Sequence, residues 1–459
     1  MLLYRPIPYE DECLLSYLIR LAEGNGIGSP AGIMNLAGYG NKSGKLRAKN
    51  ILTGKSEIKG ISKILDLSID VIREISFQEI EDGGFYLVSG IKIPLGLVRF
   101  NNPRVCPGCI KEYGYGLAIW NVVAITSCPE HKCSLVDCKI GKDKRLTWYR
   151  NKLNSFPNDD KIYLCDGRPV SNDSLLLSDT ILKVVDGNCK ELHEDFRGIA
   201  IEDFLSLLYW LSFWKHRADS HEMGVKARNK LPIQSWSNHD LNSFFMKGWR
   251  AIKNWPVAYY KILEYYSENP MSASGIHGVT LCFRDIYRIL KGDNNCRWNE
   301  LLNKEFDYYI AQIWSGRYLS KMKKMKLESK DLRYISRSQV CKKLRCDIGT
   351  VIRYERLGII KLVERGKGAA IYERAQVEEL EVRLRNKLDF KDVCALLHVQ
   401  RAVLRRLVNS GVIKTFIKPS SDNKKYIFLK EDVESFINMA KRNAKKIKIC
   451  QVGTVMNKF

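Results

Sequence analysis

Cys106-Pro-Gly-Cys109 and Cys128-Pro-Glu-His131 set two pairs of soft ligands eighteen residues apart, in the pattern C-x2-C-x18-C-x2-H. Each pair sits in one short turn, and Gly108 eases the first. Three thiolates and one imidazole suit a single tetrahedral Zn2+ ion. With all four positions taken by protein, no site stays open for water or substrate. The ion would serve folding rather than catalysis. Cys133 is a rival for the fourth position. Cys13, Cys282, Cys341 and Cys394 fall at apolar helical positions and read as small core residues. Cys165, Cys189, Cys296 and Cys450 show no partner spacing. No set of carboxylates is spaced for a catalytic metal, and nothing marks a nucleophile elbow. No catalytic residue is expected, and the protein is read as a non-enzyme.

The second chemistry on offer is electrostatic. The chain of 459 residues has a formal charge of +24. Residues 321–459 hold 34 Lys/Arg against 15 Asp/Glu, whereas the preceding 320 residues hold 41 against 36. A basic segment with folded-domain patterning points to double-stranded DNA, with an acidic protein partner as the blander alternative.

That basic segment repeats itself. "VCKKLRCDIGTVIRYERLGIIK" from Val340 and "VCALLHVQRAVLRRLVNSGVIK" from Val393 match at a constant offset of 53 residues. Beyond the intervening hairpin the offset grows to 56 and pairs Ile371, Val377 and Leu380 with Ile427, Val433 and Phe436. Each copy reads helix, turn, helix, glycine stop, hairpin, helix. The stops, Gly358 and Gly411, suit a left-handed cap. This is the pattern of a helix-turn-helix with a small wing, whose second helix enters the major groove. The candidate DNA contacts are Thr350, Arg353 and Arg356 in the first unit, and Gln400, Arg401, Arg405 and Arg406 in the second. Arg365 and Lys367, then Lys424 and Lys425, are the wing candidates. Such units also serve as protein-docking modules, and the sequence leaves open which unit reads bases.

The elements that must position these groups are mostly helical. "YEDECLLSYLIRLAEGNG" puts Cys13, Leu14, Tyr17, Leu18, Leu21 and Ala22 on one stripe, with polar residues opposite. Gly24 and Gly26 stop this helix. "FYLVSG" reads as a strand. In "FLSLLYWLSFWKH" and "LNSFFMKGWRAIKNWPVAYYKILEYY" the aromatics recur at helical spacing, and core packing is favoured over base stacking. The expected fold is mainly α with small β parts. It divides into an N-terminal helical domain (1–100), a zinc-ribbon-like module (101–172), an aromatic-rich helical region (173–330) and two tandem winged helix-turn-helix-like units (331–386 and 387–459).

Three stretches resemble the TniQ/TnsD family of transposon target-selection proteins. "RPIPYEDECLLSYLIRLAEGNG" is similar to the family's N-terminal signature at Pro6, Pro8, Glu12, Ser16, Arg20 and Ala22. The zinc segment is similar through Gly114, Tyr115 and Trp120 between the ligand pairs. "FFMKGWRAIKNWP" resembles the middle of members that work with CRISPR Cascade. The resemblance covers about residues 1–330; the C-terminal units are compatible with it but generic. It implies a protein that recognises a target site and recruits an AAA+ regulator and a transposase. One mode binds a chromosomal site directly. The other docks, often as a dimer, on Cascade and its guide RNA. The direct mode is favoured, because an adaptor has no need of the C-terminal charge. The family commonly has a second zinc knuckle; here Cys138-Lys-Ile-Gly141 and Cys165-Asp-Gly167 keep one cysteine each, so that site is expected to be lost or weak.

No apolar run is long enough for a transmembrane helix, and the N-terminus lacks a signal-peptide pattern. The expectation is a bacterial cytoplasmic, nucleoid-associated protein with no membrane partner.

Overall fold

The computed structural model describes residues 2–39, 47–55, 58–80, 84–138, 145–150, 152–153, 169–220, 231–269, 278–292, 296–315, 332–366, 369–419 and 426–456. They form two compact units: Met1–Tyr309 belong to the first, and Ile310–Lys321 with Lys326–Phe459 to the second. The five sequence segments remain a finer proposed division. Both units are mainly helical with small antiparallel sheets, as the pattern predicts. Among the described residues no helix is long and apolar enough to cross a membrane.

Helix α1 (Leu14–Gly24) opens the first unit, and its predicted stripe is buried. The chain leaves it through Asn25 and then Gly26, whose φ of 65° suits glycine. The opposite face differs from expectation, because Glu12 and Ser16 are also fully buried. They are tolerated there because each is satisfied. The Glu12 carboxylate accepts from the Ser16 hydroxyl (3.2 Å) and from Arg20 Nη2 (2.6 Å) and Nε (3.2 Å). Ser16 Oγ in turn accepts the Gly116 amide at 2.7 Å. Tyr17 donates to the Pro6 carbonyl at 2.8 Å, and the Arg20 guanidinium lies 4.8 Å from the centre of the Tyr9 ring. The N-terminal signature is therefore one polar network that clamps α1 onto the loop between the ligand pairs.

Burial pushes the Glu12 carboxyl above its ordinary value, and the pull of Arg20 only partly offsets this. A raised folded-state value means that the native state holds this proton more tightly than the unfolded chain does. The stabilisation is complete below the unfolded value and is lost as pH rises through the folded one. Glu12→Gln mimics the protonated form. Its stability relative to wild type should therefore fall as pH drops from 7 through the folded value, read by denaturant titration at several pH values.

A three-stranded meander follows: β1 (Gln78–Glu79), β2 (Phe85–Val88) and β3 (Ile91–Pro94), in register Phe85↔Pro94 to Val88↔Ile91. The segment with the candidate ligands contributes α2 (Pro107–Tyr113) and the two-stranded pair β4 (Ser127–Cys128) and β5 (Cys133–Ser134). The helical body comprises α3 (Asn172–Val185), α4 (Ile201–Ser220), α5 (Asn238–Lys253), α6 (Val257–Glu268) and α7 (Arg297–Tyr308). Phe204, Phe213, Trp214, Phe244, Phe245, Trp249, Tyr259 and Tyr266 are all buried, so the aromatics are core. Gly248 lets α4 and α5 approach closely. A Cβ there would lie 2.2 Å from Ser212 Oγ and 2.5 Å from the Leu208 carbonyl oxygen, which is backbone and cannot swing aside. Gly248→Ala should cost about 1–3 kcal/mol through overpacking, read as a lower midpoint in denaturant.

In the second unit the repeat reappears in three dimensions. The first copy runs β6 (Tyr334–Ser336), α8 (Arg337–Leu344), α9 (Ile348–Arg356), β7 (Leu362–Gly366), β8 (Ala369–Glu373) and α10 (Arg374–Arg385). The second runs β9 (Lys387–Leu388), α11 (Phe390–Leu397), α12 (Arg401–Asn409), β10 (Phe428–Leu429) and α13 (Lys430–Met456). The pairs Ile335↔Tyr372 and Leu388↔Phe428 are equivalent at the two sequence offsets. The turns match as well: Arg345 (φ 50°) and His398 (φ 53°) are left-handed at the same place, as are Gly358 (φ 67°) and Gly411 (φ 75°). Each copy has its own core, one around Val340, Val351, Tyr372 and Val377, the other around Val393, Leu404, Phe428 and Val433. Ile417 of the second copy is buried in the first core, which ties the two together.

Candidate metal centre

The ligand atoms of Cys106, Cys109, Cys128 and His131 all lie within 4.8 Å of one another. Among the described residues this is the only such group that could hold a metal ion. The local sequence explains the convergence. Pro107 starts α2, so Cys106 becomes its N-cap and its sulfur accepts the Cys109 amide at 3.5 Å. The second turn repeats this, with the His131 amide donating to Cys128 Sγ at 3.5 Å. Two equivalent knuckles thus face one point. Cys109 Sγ lies 3.6 Å from Cys128 Sγ and 3.3 Å from His131 Nδ1, and Cys128 Sγ lies 3.7 Å from that nitrogen. Ligands about 2.3 Å from a tetrahedral ion stand roughly 3.8 Å apart, so the donor set fits zinc in type and spacing.

Cys133 sits opposite Cys128 across the β4–β5 pair, with its sulfur 3.6 Å from Cys106 Sγ. It is outside the group of four whose ligand atoms are mutually close. Hydrogen bonds from Cys109 first, then Cys128, pull the Cys106 thiol down to about 7, while Cys109, as donor, is pushed up. The hydrogen bond with Cys128 raises His131. A cation bound here would displace these shared protons.

Sequence reasoning missed the supports. His131 Nε2 lies 3.1 Å from Glu112 Oε2, the carboxylate that fixes a metal-binding imidazole from its far side. Tyr113 donates to Glu130, whose other oxygen is 3.8 Å from Cys109 Sγ. Glu112 stands three residues after Cys109, and that proximity was the available signal. Arg104, next to the cluster, is fully buried and held down at about 9 by desolvation. It donates to the carbonyls of Trp120 (2.7 Å) and Val122 (2.6 Å) and to Asn238 Oδ1 (2.9 Å). Asp137 pairs with Arg99 at 3.4 Å and accepts the Asn238 amide at 2.9 Å, which joins this segment to the start of α5.

Gly108 has a different job from easing a turn. A Cβ there would fall 2.1 Å from His131 Cδ2, so glycine makes room for the imidazole. Gly108→Ala should displace His131 and weaken metal affinity by about 10–100-fold, the scale of losing a supporting partner. Competition with a coloured chelator reads this.

The remaining cysteines follow expectation where described: Cys13 and Cys282 are buried, and Cys341 and Cys394 pack against the two C-terminal cores. Cys138 is partly buried, beside Arg145 across a β-bridge. Gly141, Cys165 and Gly167 lie outside the described residues, and nothing is described of the Cys450 side chain.

The DNA candidates are distributed unequally. Gln400, Arg401, Arg405 and Arg406 are exposed at the start and along α12. On α9, Arg356 is exposed but Thr350 and Arg353 are half-buried. The Thr350 amide and hydroxyl both bond Asp347, at 2.9 and 3.0 Å. Arg365 lies on β7 with its backbone paired to Ala370. Lys367, Lys424 and Lys425 lie outside the described residues.

A search of curated proteins found no match. The TniQ family model matches residues 3–135. That span contains the α1 network and the whole Cys3His group. Residues 3–135 are thus similar to a TniQ domain, and that domain supports a transposition-associated protein.

Proposed function

We propose that the protein selects target sites for DNA transposition. It binds a specific attachment site through its basic C-terminal unit and recruits an AAA+ regulator and a transposase. The four-ligand group holds one structural Zn2+, which fixes the TniQ domain and performs no chemistry. The observation that carries the reading is the joining of a TniQ domain to a duplicated two-helix unit with most of the chain's excess charge. Wing-and-helix readers place the second helix in the major groove, and Arg and Lys supply base and phosphate contacts.

The second reading is an adaptor that docks on Cascade and its guide RNA, as a dimer. Its sequence support lies in "FFMKGWRAIKNWP". There Phe244, Phe245, Trp249 and Trp255 are buried, so similarity along it reflects packing as much as docking. A gel-shift titration of the purified protein separates the two. Tight, salt-sensitive binding to duplex DNA without any partner supports direct recognition. No binding at low salt supports the adaptor.

A further inference from the structure

We infer that the two C-terminal repeats have diverged in role: the second, through α12, is the duplex-DNA reader, and the first is a scaffold whose charge is partly matched within its own fold. This rests on the direct-recognition reading and assigns its contact surface. The 53-residue offset aligns the outward faces of α9 and α12 position by position. Arg353 matches Arg406, and Gly349 matches Ala402, so both helices carry a small residue and an arginine one turn later. At the flanking positions they part. Ile348 and Ile352 on α9 stand where α12 has Arg401 and Arg405.

Charge pairing separates them further. In the first repeat, several cations are matched within the fold. Arg337 pairs with Glu355 of α9 at 2.8 Å, Arg333 with Glu373 at 2.9 Å, and Lys343 with Glu378 at 3.0 Å. Asp347 caps α9, and its hydrogen bonds with Thr350 hold its carboxyl below the usual range, so a fixed negative charge sits at that helix's start. A DNA phosphate approaching α9 would meet that charge. In the second repeat, the one ion pair among the described residues is Lys430–Glu434 at 3.6 Å. Helix α12 contains three arginines and no acid, and uncharged Gln400 is its N-cap. Three exposed guanidinium groups with no ion pair among the described residues stand on one short helix and are complementary to a polyanion, and the groove-sized α-helix makes duplex DNA the fitting form.

The test is fluorescence anisotropy of the full-length protein on a duplex of about 30 bp, roughly three helical turns. Wild type is compared with R401A/R405A/R406A and with R353A/R356A from about 50 to 200 mM salt. The α12 triple variant should lose at least about 10-fold in affinity, and its salt slope should fall by about two to three phosphate contacts. The α9 pair should change binding less than about 2-fold, well short of one lost base contact. The thermal melt of the α12 triple variant should match wild type, because its three positions are exposed. A larger loss in the α9 pair, or an unaffected α12 triple, overturns the assignment while leaving direct recognition standing. A wild-type protein that binds no duplex at low salt overturns both.

Discussion

Cys128→Ser should abolish metal binding and unfold the segment from Arg104 to Val136. Wild type should carry about one zinc per chain and the variant close to none. Structural zinc in small modules contributes on the order of 10 kcal/mol of apparent folding free energy at neutral pH. Losing one of four ligands forfeits a large part of that. The effect should spread, because Gly116 in this segment bonds Ser16, and Asp137 and Arg104 bond Asn238 at the head of α5. Elemental analysis with a parallel thermal melt reads both effects. A strong chelator should reproduce the variant's melt in wild type, and Cys106 and Cys109 should become reactive to a thiol reagent. Two companion variants decide the fourth ligand: His131→Ala should lose the ion, and Cys133→Ser should keep it. Full metal content in Cys128→Ser would remove the proposed ligand set.

Trp214→Ala should be the most costly single change in the helical body. Trp214 is fully buried on α4, with ring centroids 5.9 Å from Trp210 and 6.2 Å from Tyr259 at shallow interplanar angles. Trp210 continues the stack to Trp298 on α7 at 6.2 Å, so one column of rings joins α4, α6 and α7. Truncation removes the transfer energy of the indole and leaves a cavity that three packed helices cannot close. The cost should be about 3–5 kcal/mol. In a unit this large that lowers the melting midpoint by about 5–8 °C. Calorimetry measures it, and a loss under about 1 kcal/mol would mean that the site collapses or that the stack carries little. The DNA affinity proposed for the second unit should be unchanged in this variant.

What could be read from sequence had a short-range cause. The two knuckles are local turns, so spacing alone placed Cys106 with Cys109 and Cys128 with His131. The repeat was legible because two copies of one local pattern must solve the same packing problem. Even the left-handed residues at Gly358 and Gly411 followed from helix termination. Long-range pairings were not legible. Nothing near Glu12 announces that its carboxylate is buried, because the satisfaction comes from Arg20 one side and, through Ser16, from Gly116 a hundred residues away. Amphipathic periodicity marks one buried face and says nothing of a helix enclosed on both. Glycine carries the same ambiguity: Gly108 and Gly248 serve close approach, the first to an imidazole and the second to a neighbouring helix, and spacing cannot distinguish that from a turn. Inequality of the repeats was partly visible, since Ile348 and Ile352 align with arginines. The ion pairs that offset part of the first copy's charge required the fold.

The most direct measurement is a map of where the protein sits on DNA in living bacterial cells that lack any RNA-guided complex, obtained by cross-linking and sequencing the bound fragments. We expect one discrete, sequence-defined site of occupancy, lost in R401A/R405A/R406A and retained in R353A/R356A. Occupancy that is absent, or that forms only when a guide RNA and its effector are supplied, would contradict direct target selection by this chain.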